Sequence, residues 1–104
     1  MIVVVTTDDA RRDGVIRLDD RDNFAELAVD AVGLSREAVT AVAVSTGAGA
    51  VDGDHLWIDV DFLRGRGRGT DEWNTALAAM VDYAAGKGWT DSGSGRVRAH
   101  IRWK

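Results

Sequence analysis

Residues 55–62 read His55-Leu56-Trp57-Ile58-Asp59-Val60-Asp61-Phe62, and residues 96–103 read Arg96-Val97-Arg98-Ala99-His100-Ile101-Arg102-Trp103. Both stretches alternate with a period of two. Successive side chains of a strand point to opposite faces, so each stretch predicts a strand with one apolar and one polar face. Leu56, Ile58, Val60 and Phe62 share the first apolar face; Val97, Ala99, Ile101 and Trp103 share the second. If one sheet holds both strands, both apolar faces meet the same core. His55, Trp57, Asp59 and Asp61 then share the opposite face with Arg96, Arg98, His100 and Arg102.

Working outward, residues 2–6 form a nearly unbroken β-branched run, which suits a strand buried on both faces. A polar stretch, residues 8–14, ends in the turn dipeptide Asp13-Gly14, and residues 15–18 give a short second strand. Asn23 followed by Glu26 fits a capping box, predicting a helix with Phe24, Leu27, Ala28 and Ala31 on one face and Gly33 just past its end. Residues 34–38 are ambiguous. Residues 39–45 alternate Val39, Ala41, Ala43 against Thr40, Val42, Val44 and read as a strand, followed by a Gly-rich loop over residues 46–54. A second helix is predicted over residues 71–85, capped by Thr70, with Asp71 and Glu72 at its positive end. Its apolar stripe is Trp73, Ala76, Leu77, Met80, Val81 and Ala84.

The predicted order is β-β-α-β-β-α-β, an α+β fold with a mostly antiparallel sheet and two helices on one face. Without its first strand this order resembles the ferredoxin-like split unit, a likeness of architecture rather than of sequence family.

At 104 residues the chain is expected to be a single domain, residues 1–104, large enough to bury a core without staples. It has no cysteine, which excludes disulfides, thiolate metal sites and cysteine nucleophiles. No apolar run approaches the ~20 residues of a membrane span, and the start of the chain lacks the basic region of a signal peptide. A soluble, cytoplasmic protein with no membrane contact is the expectation. The net charge of −4 divides into −8 over residues 1–63 and +4 over residues 64–104, so the two parts complement each other. A nucleic-acid partner is disfavoured, because phosphate would repel the chain as a whole.

The polar faces of the two alternating strands carry the main chemical lead. Direct neighbours would set opposed groups about 5 Å apart; one intervening strand would set them roughly 10 Å apart, with room for a small ligand. A solvated charge ladder is the plain reading. Against it, Trp57 lies in the middle of the polar face, and each strand carries one of the only two histidines. The functional reading is a pocket closed by loops or by a second subunit in a homodimer. His100 and His55 would move a proton near neutral pH, and Asp59 would orient an imidazole or act as a base. Trp57 would stack on a ligand, Arg98 or Arg102 would grip an anionic group, and Asp61 would share the site. Trp89, in the polar loop at residues 87–95, is a candidate lid over the ligand or an interface hot spot, the plain alternative being a ring folded back on the helix end.

No metal or organic cofactor is expected. Residues four apart on a strand lie about 13 Å apart, so His55 and Asp59 cannot share an ion. The segment Gly65-Arg66-Gly67-Arg68-Gly69-Thr70 sits where a phosphate loop would, but Asp71 and Glu72 would repel an anion there and no G-K-[ST] follows. It reads as a connection. Trp73 and Trp103 read as core anchors, and Tyr83 as a boundary residue. The expected function is small-molecule binding or cofactor-free proton-transfer catalysis of the isomerase, cyclase or lyase type, on the exposed sheet face. The alternative is a non-catalytic interaction module, of inhibitor or immunity type, presenting an acidic surface.

Overall fold

The computed structural model describes residues 1–7, 14–91, 93 and 95–104. The chain is α+β. Its strands are β1 (Ile2–Thr7), β2 (Gly14–Asp19), β3 (Ala28–Ala31), β4 (Gly49–Asp52), β5 (His55–Asp59), β6 (Thr90–Asp91) and β7 (Arg96–Trp103). Its helices are α1 (Arg36–Thr46), α2 (Val60–Arg66) and α3 (Asp71–Gly86). Of the polar turn predicted at residues 8–14, residues 8–13 lie outside the described residues and Gly14 opens β2.

The strands join in one sheet of order β2-β1-β3-β7-β5-β4, with β6 paired to β7. β3 runs parallel to both β1 and β7, and the other pairs are antiparallel. The sheet is thus mixed and accompanied by three helices among the described residues. This corrects the ferredoxin-like expectation of a mostly antiparallel sheet with two helices.

The largest difference is an exchange of elements. Residues 28–31 form a strand where a helix was predicted. The Asn23 side chain does accept a nearby amide, but from Ala25 at 3.1 Å, and the Asn23 N–H donates to the Asp20 carbonyl at 3.0 Å. Those bonds close a turn instead of capping a helix. Ala28, Val29, Asp30 and Ala31 are all buried, as befits a strand between two parallel neighbours.

Residues 39–45 lie within α1 where a strand was predicted. Ser35 caps it, its hydroxyl accepting from the Ala38 N–H at 3.2 Å. The buried residues are Val39, Val42 and Ala43, which recur at helical spacing. Gly47 ends the helix in the left-handed conformation, φ 76°, its N–H reaching the Ala43 and Val44 carbonyls. The Gly-rich stretch beyond it holds β4, not only a loop. Gly49 starts that strand because a Cβ there would lie 1.7 Å from the Trp57 carbonyl oxygen.

The strand at residue 55 ends earlier than its alternation implied. From Val60 the chain turns into α2, so Asp61 and Phe62 are helical and leave the strand face. α3 follows expectation: the Thr70 hydroxyl accepts from the Trp73 N–H at 3.2 Å, and Trp73, Leu77 and Ala84 are buried.

One face of the sheet meets the helices. Val3, Val5, Val29, Leu56, Ile58, Val97 and Ile101 from the strands form a single cluster with Val39, Leu63, Trp73 and Leu77 from the helices. Fully burying each large aliphatic side chain contributes roughly 1.5–3 kcal/mol. Trp103, expected in the core, is 38% exposed at the sheet's end, its indole N–H bonded to Asp54 at 3.1 Å. Among the described residues no helix is long and apolar enough to cross a membrane.

Candidate functional site

The opposite face of the sheet carries the polar side chains, and strand register decides which of them meet. β5 and β7 are direct neighbours, pairing His55 with His100, Trp57 with Arg98 and Asp59 with Arg96. The Ile101 N–H donates to the Asp54 carbonyl toward β5, whereas the Arg98 N–H donates to the Trp89 carbonyl on the other edge. Odd-numbered positions of β7 therefore bond to β5, and His100, Arg98 and Arg96 occupy non-hydrogen-bonded pairs, where opposed side chains approach most closely.

The two histidines meet edge to face, with ring centroids 5.4 Å apart and planes at 73°. Next along the ladder, the Arg98 guanidinium lies 5.9 Å from the Trp57 ring centroid, at the outer limit of a cation–π contact. Beyond it Arg96 Nε donates to Asp59 Oδ1 at 3.0 Å. On the opposite side Arg102 lies beside Asp30 of β3, donating from Nε at 2.5 Å, with Lys104 Nζ 3.2 Å from the same carboxylate. Burial pushes the Asp30 carboxyl upward, but its bonds to Arg102 and Lys104 outweigh that and hold it below the usual carboxylate range.

The three arginines of this face thus have different fates. Arg96 and Arg102 are neutralised by Asp59 and Asp30. Among the described residues Arg98 pairs with no carboxylate, because its cross-strand partner is an indole. A cleft of about 240 Å³ opens beside it, lined by His55, His100, Arg98, Ala99, Leu27 and Trp89. The cleft exists because the edge of β7 is incompletely covered. β6 pairs only with Arg96 and Val97, and β3 begins only opposite His100.

The structure therefore brings His55, His100, Arg98 and Trp89 to one cleft, with Trp57 beneath the guanidinium. Asp59 and Arg102 share the face but are held in ion pairs outside the cleft. Asp61 is not on this face: it sits in the first turn of α2 and pairs with Arg64 at 2.5 Å. Among the described residues no group of three or more His, Asp or Glu side chains is placed to hold a metal ion.

The Arg-Gly segment is occupied internally. Arg66 lies over the Phe62 ring at 4.9 Å, and Arg68 donates from Nε to Asp22 at 2.7 Å. That pairing draws the exposed Asp22 carboxyl below its ordinary range. Leu27 and Asp30 escaped the sequence reading, since both fell in the segment taken for a helix. The available signal for Asp30 was a lone carboxylate in the apolar run Ala28-Val29-Asp30-Ala31-Val32. The chain matches no known family model, no curated protein and no solved structure.

Proposed function

We propose that this chain binds a small anionic molecule in the cleft over His55 and His100, with Arg98 holding the anion and the two imidazoles placed to exchange a proton with it. The observation that carries this reading is Arg98, a half-buried guanidinium that pairs with no carboxylate among the described residues and opens onto a cleft with two histidines. A guanidinium grips a carboxylate through two parallel N–H bonds. Imidazole is the side chain suited to moving protons near neutral pH. Proton transfer of the isomerase, cyclase or lyase type needs no organic cofactor and fits these groups. A second copy of the chain over the sheet face would complete the enclosure as a homodimer, and a cysteine-free chain suits a reducing cytoplasm.

An acidic interaction surface has less support. Asp54, Asp59 and Asp61 each hold an arginine of the same chain, which removes much of the field a basic partner would feel.

The test follows the ring-proton resonances of His55 and His100 while small carboxylates, and then their neutral amides, are added. The carboxylates are expected to move both signals and the amides neither. Arg98→Gln is expected to weaken the response at least about tenfold, or 1.4 kcal/mol. An equal response to amide and acid, or an unaltered response in Arg98→Gln, refutes the reading. Sedimentation giving a monomer mass at every concentration removes the dimer.

A further inference from the structure

The cleft over the histidines does not end at the sheet. A second cavity, of about 90 Å³, shares three of its walls: Leu27, Trp89 and Arg98. Its remaining lining is Met80, Tyr83 and Ala84 of α3, Val97 of β7, and Phe24, Ala25 and Glu26 of the segment before β3, so one carboxylate borders an otherwise largely apolar wall. Val97 and Ala84 belong to the buried core, so this cavity opens toward the apolar layer and not toward the polar face.

Both cavities arise from the same gap. Among the described residues, no strand pairs with the edge of β7 between Thr90, opposite Val97, and Ala28, opposite His100. The backbone bond from the Arg98 N–H to the Trp89 carbonyl, at 2.7 Å, bridges the opening. Trp89 is fixed at the end of α3 by its N–H to the Ala84 carbonyl at 2.9 Å, yet its residue surface stays 40% exposed. The two spaces thus differ in chemistry and adjoin at Trp89.

We infer that the ligand is an amphipathic carboxylic acid, its carboxylate on Arg98 beside the histidines and its short apolar tail passing Leu27 and Trp89 toward Met80. The inference rests on the anion reading above and adds the ligand's second half. The first cavity, at about 240 Å³, is smaller than the roughly 300–1,000 Å³ of drug-sized sites and takes a small polar head such as a carboxylate. The second holds no more than a small aryl or short alkyl group. Charge complementarity sets the orientation: the one guanidinium of this face without a carboxylate partner among the described residues lies at the polar end, and the thioether and methyl groups at the other.

Three probes test this: acetate, 3-phenylpropionate and 3-phenylpropan-1-ol, each followed at the two histidine ring protons and at the Met80 methyl. The inference requires 3-phenylpropionate to move all three signals and to bind at least about tenfold more tightly than acetate. The alcohol should move Met80 and leave the histidines in place. In Arg98→Gln the acid should lose about tenfold or more, while the alcohol's shift at Met80 persists and reports an intact fold. If acetate and 3-phenylpropionate bind equally and Met80 stays still, the tail site is wrong and the anion site stands. If 3-phenylpropionate moves Met80 alone, the orientation is overturned. If no carboxylate moves the histidines, both readings fall.

Discussion

Replacing Asp30 by Asn removes one charge from the centre of the sheet and changes almost nothing in shape. Asp30 is 8% exposed, the only buried charged residue among those described. Its carboxylate receives Arg102 Nε at 2.5 Å and Lys104 Nζ at 3.2 Å. A hydrogen bond to a charged group contributes about 1.5–3 kcal/mol. The Lys104 contact adds little, because that side chain is 54% exposed and its charge is screened. Asp30→Asn is therefore expected to cost about 2 kcal/mol at pH 7. For a domain of this size that lowers the melting temperature by roughly 8–16 °C. The folded carboxyl binds its proton more weakly than the unfolded one, whose pKa is about 3.9. The stabilisation is thus fully present above about pH 5 and is lost as the pH falls through the depressed folded value. Urea unfolding followed by tryptophan fluorescence, repeated from pH 7 down to pH 3, measures it. The gap between wild type and Asp30→Asn should narrow below about pH 4. A loss under about 0.5 kcal/mol at pH 7, or one that does not shrink in acid, refutes the assignment.

Two further substitutions test other parts of the molecule. Ser35→Ala removes the hydroxyl that accepts the Ala38 N–H and should cost about 1 kcal/mol in the same urea assay, with helix loss visible by circular dichroism. Trp57→Glu places a carboxylate opposite Arg98, and isothermal titration with 3-phenylpropionate should then show at least about a tenfold weaker affinity while circular dichroism reports the fold retained.

Which parts of this fold were legible in the sequence depended on whether one period could be told from another. Residues 96–103 alternate strictly over eight positions, and they are the central strand. Around Trp73 and Leu77 the 3.6-residue stripe and the Thr70 cap agree, and the helix is there. The segment at residues 39–46 is different: Val39, Val42, Ala43 and Thr46 fit a helix while Val and Ala also alternate. Only the Ser35 cap and the Gly47 stop distinguish the two readings. Residues 28–31 are too short to show any period, and their strand state comes from burial between β1 and β7, a tertiary effect. The shared face of His55, Trp57, Arg98 and His100 was readable because it follows from alternation alone. Their direct adjacency was not, since strand order depends on the misread segments. Asp61 was misplaced because the alternation runs unbroken past Asp59, where the chain turns into α2.

Strand order also explains why Trp57 belongs to the site in a different role from the one its sequence position suggested. As a ligand's stacking wall it would have to be open to the cleft, but its ring faces the Arg98 guanidinium. An arginine half-buried on a sheet face must be held in place, and the usual means is a carboxylate across the strand, as Asp59 does for Arg96. A carboxylate would also cancel the charge. An aromatic ring steadies a guanidinium by about 0.5–1 kcal/mol at a partly exposed site and leaves its N–H groups unfilled. In the ladder His55–His100, Trp57–Arg98, Asp59–Arg96, the indole is thus the one partner that orients an arginine without neutralising it. On the proposed reading, that choice at residue 57, more than the presence of three arginines, is what would give this face a place for an anion.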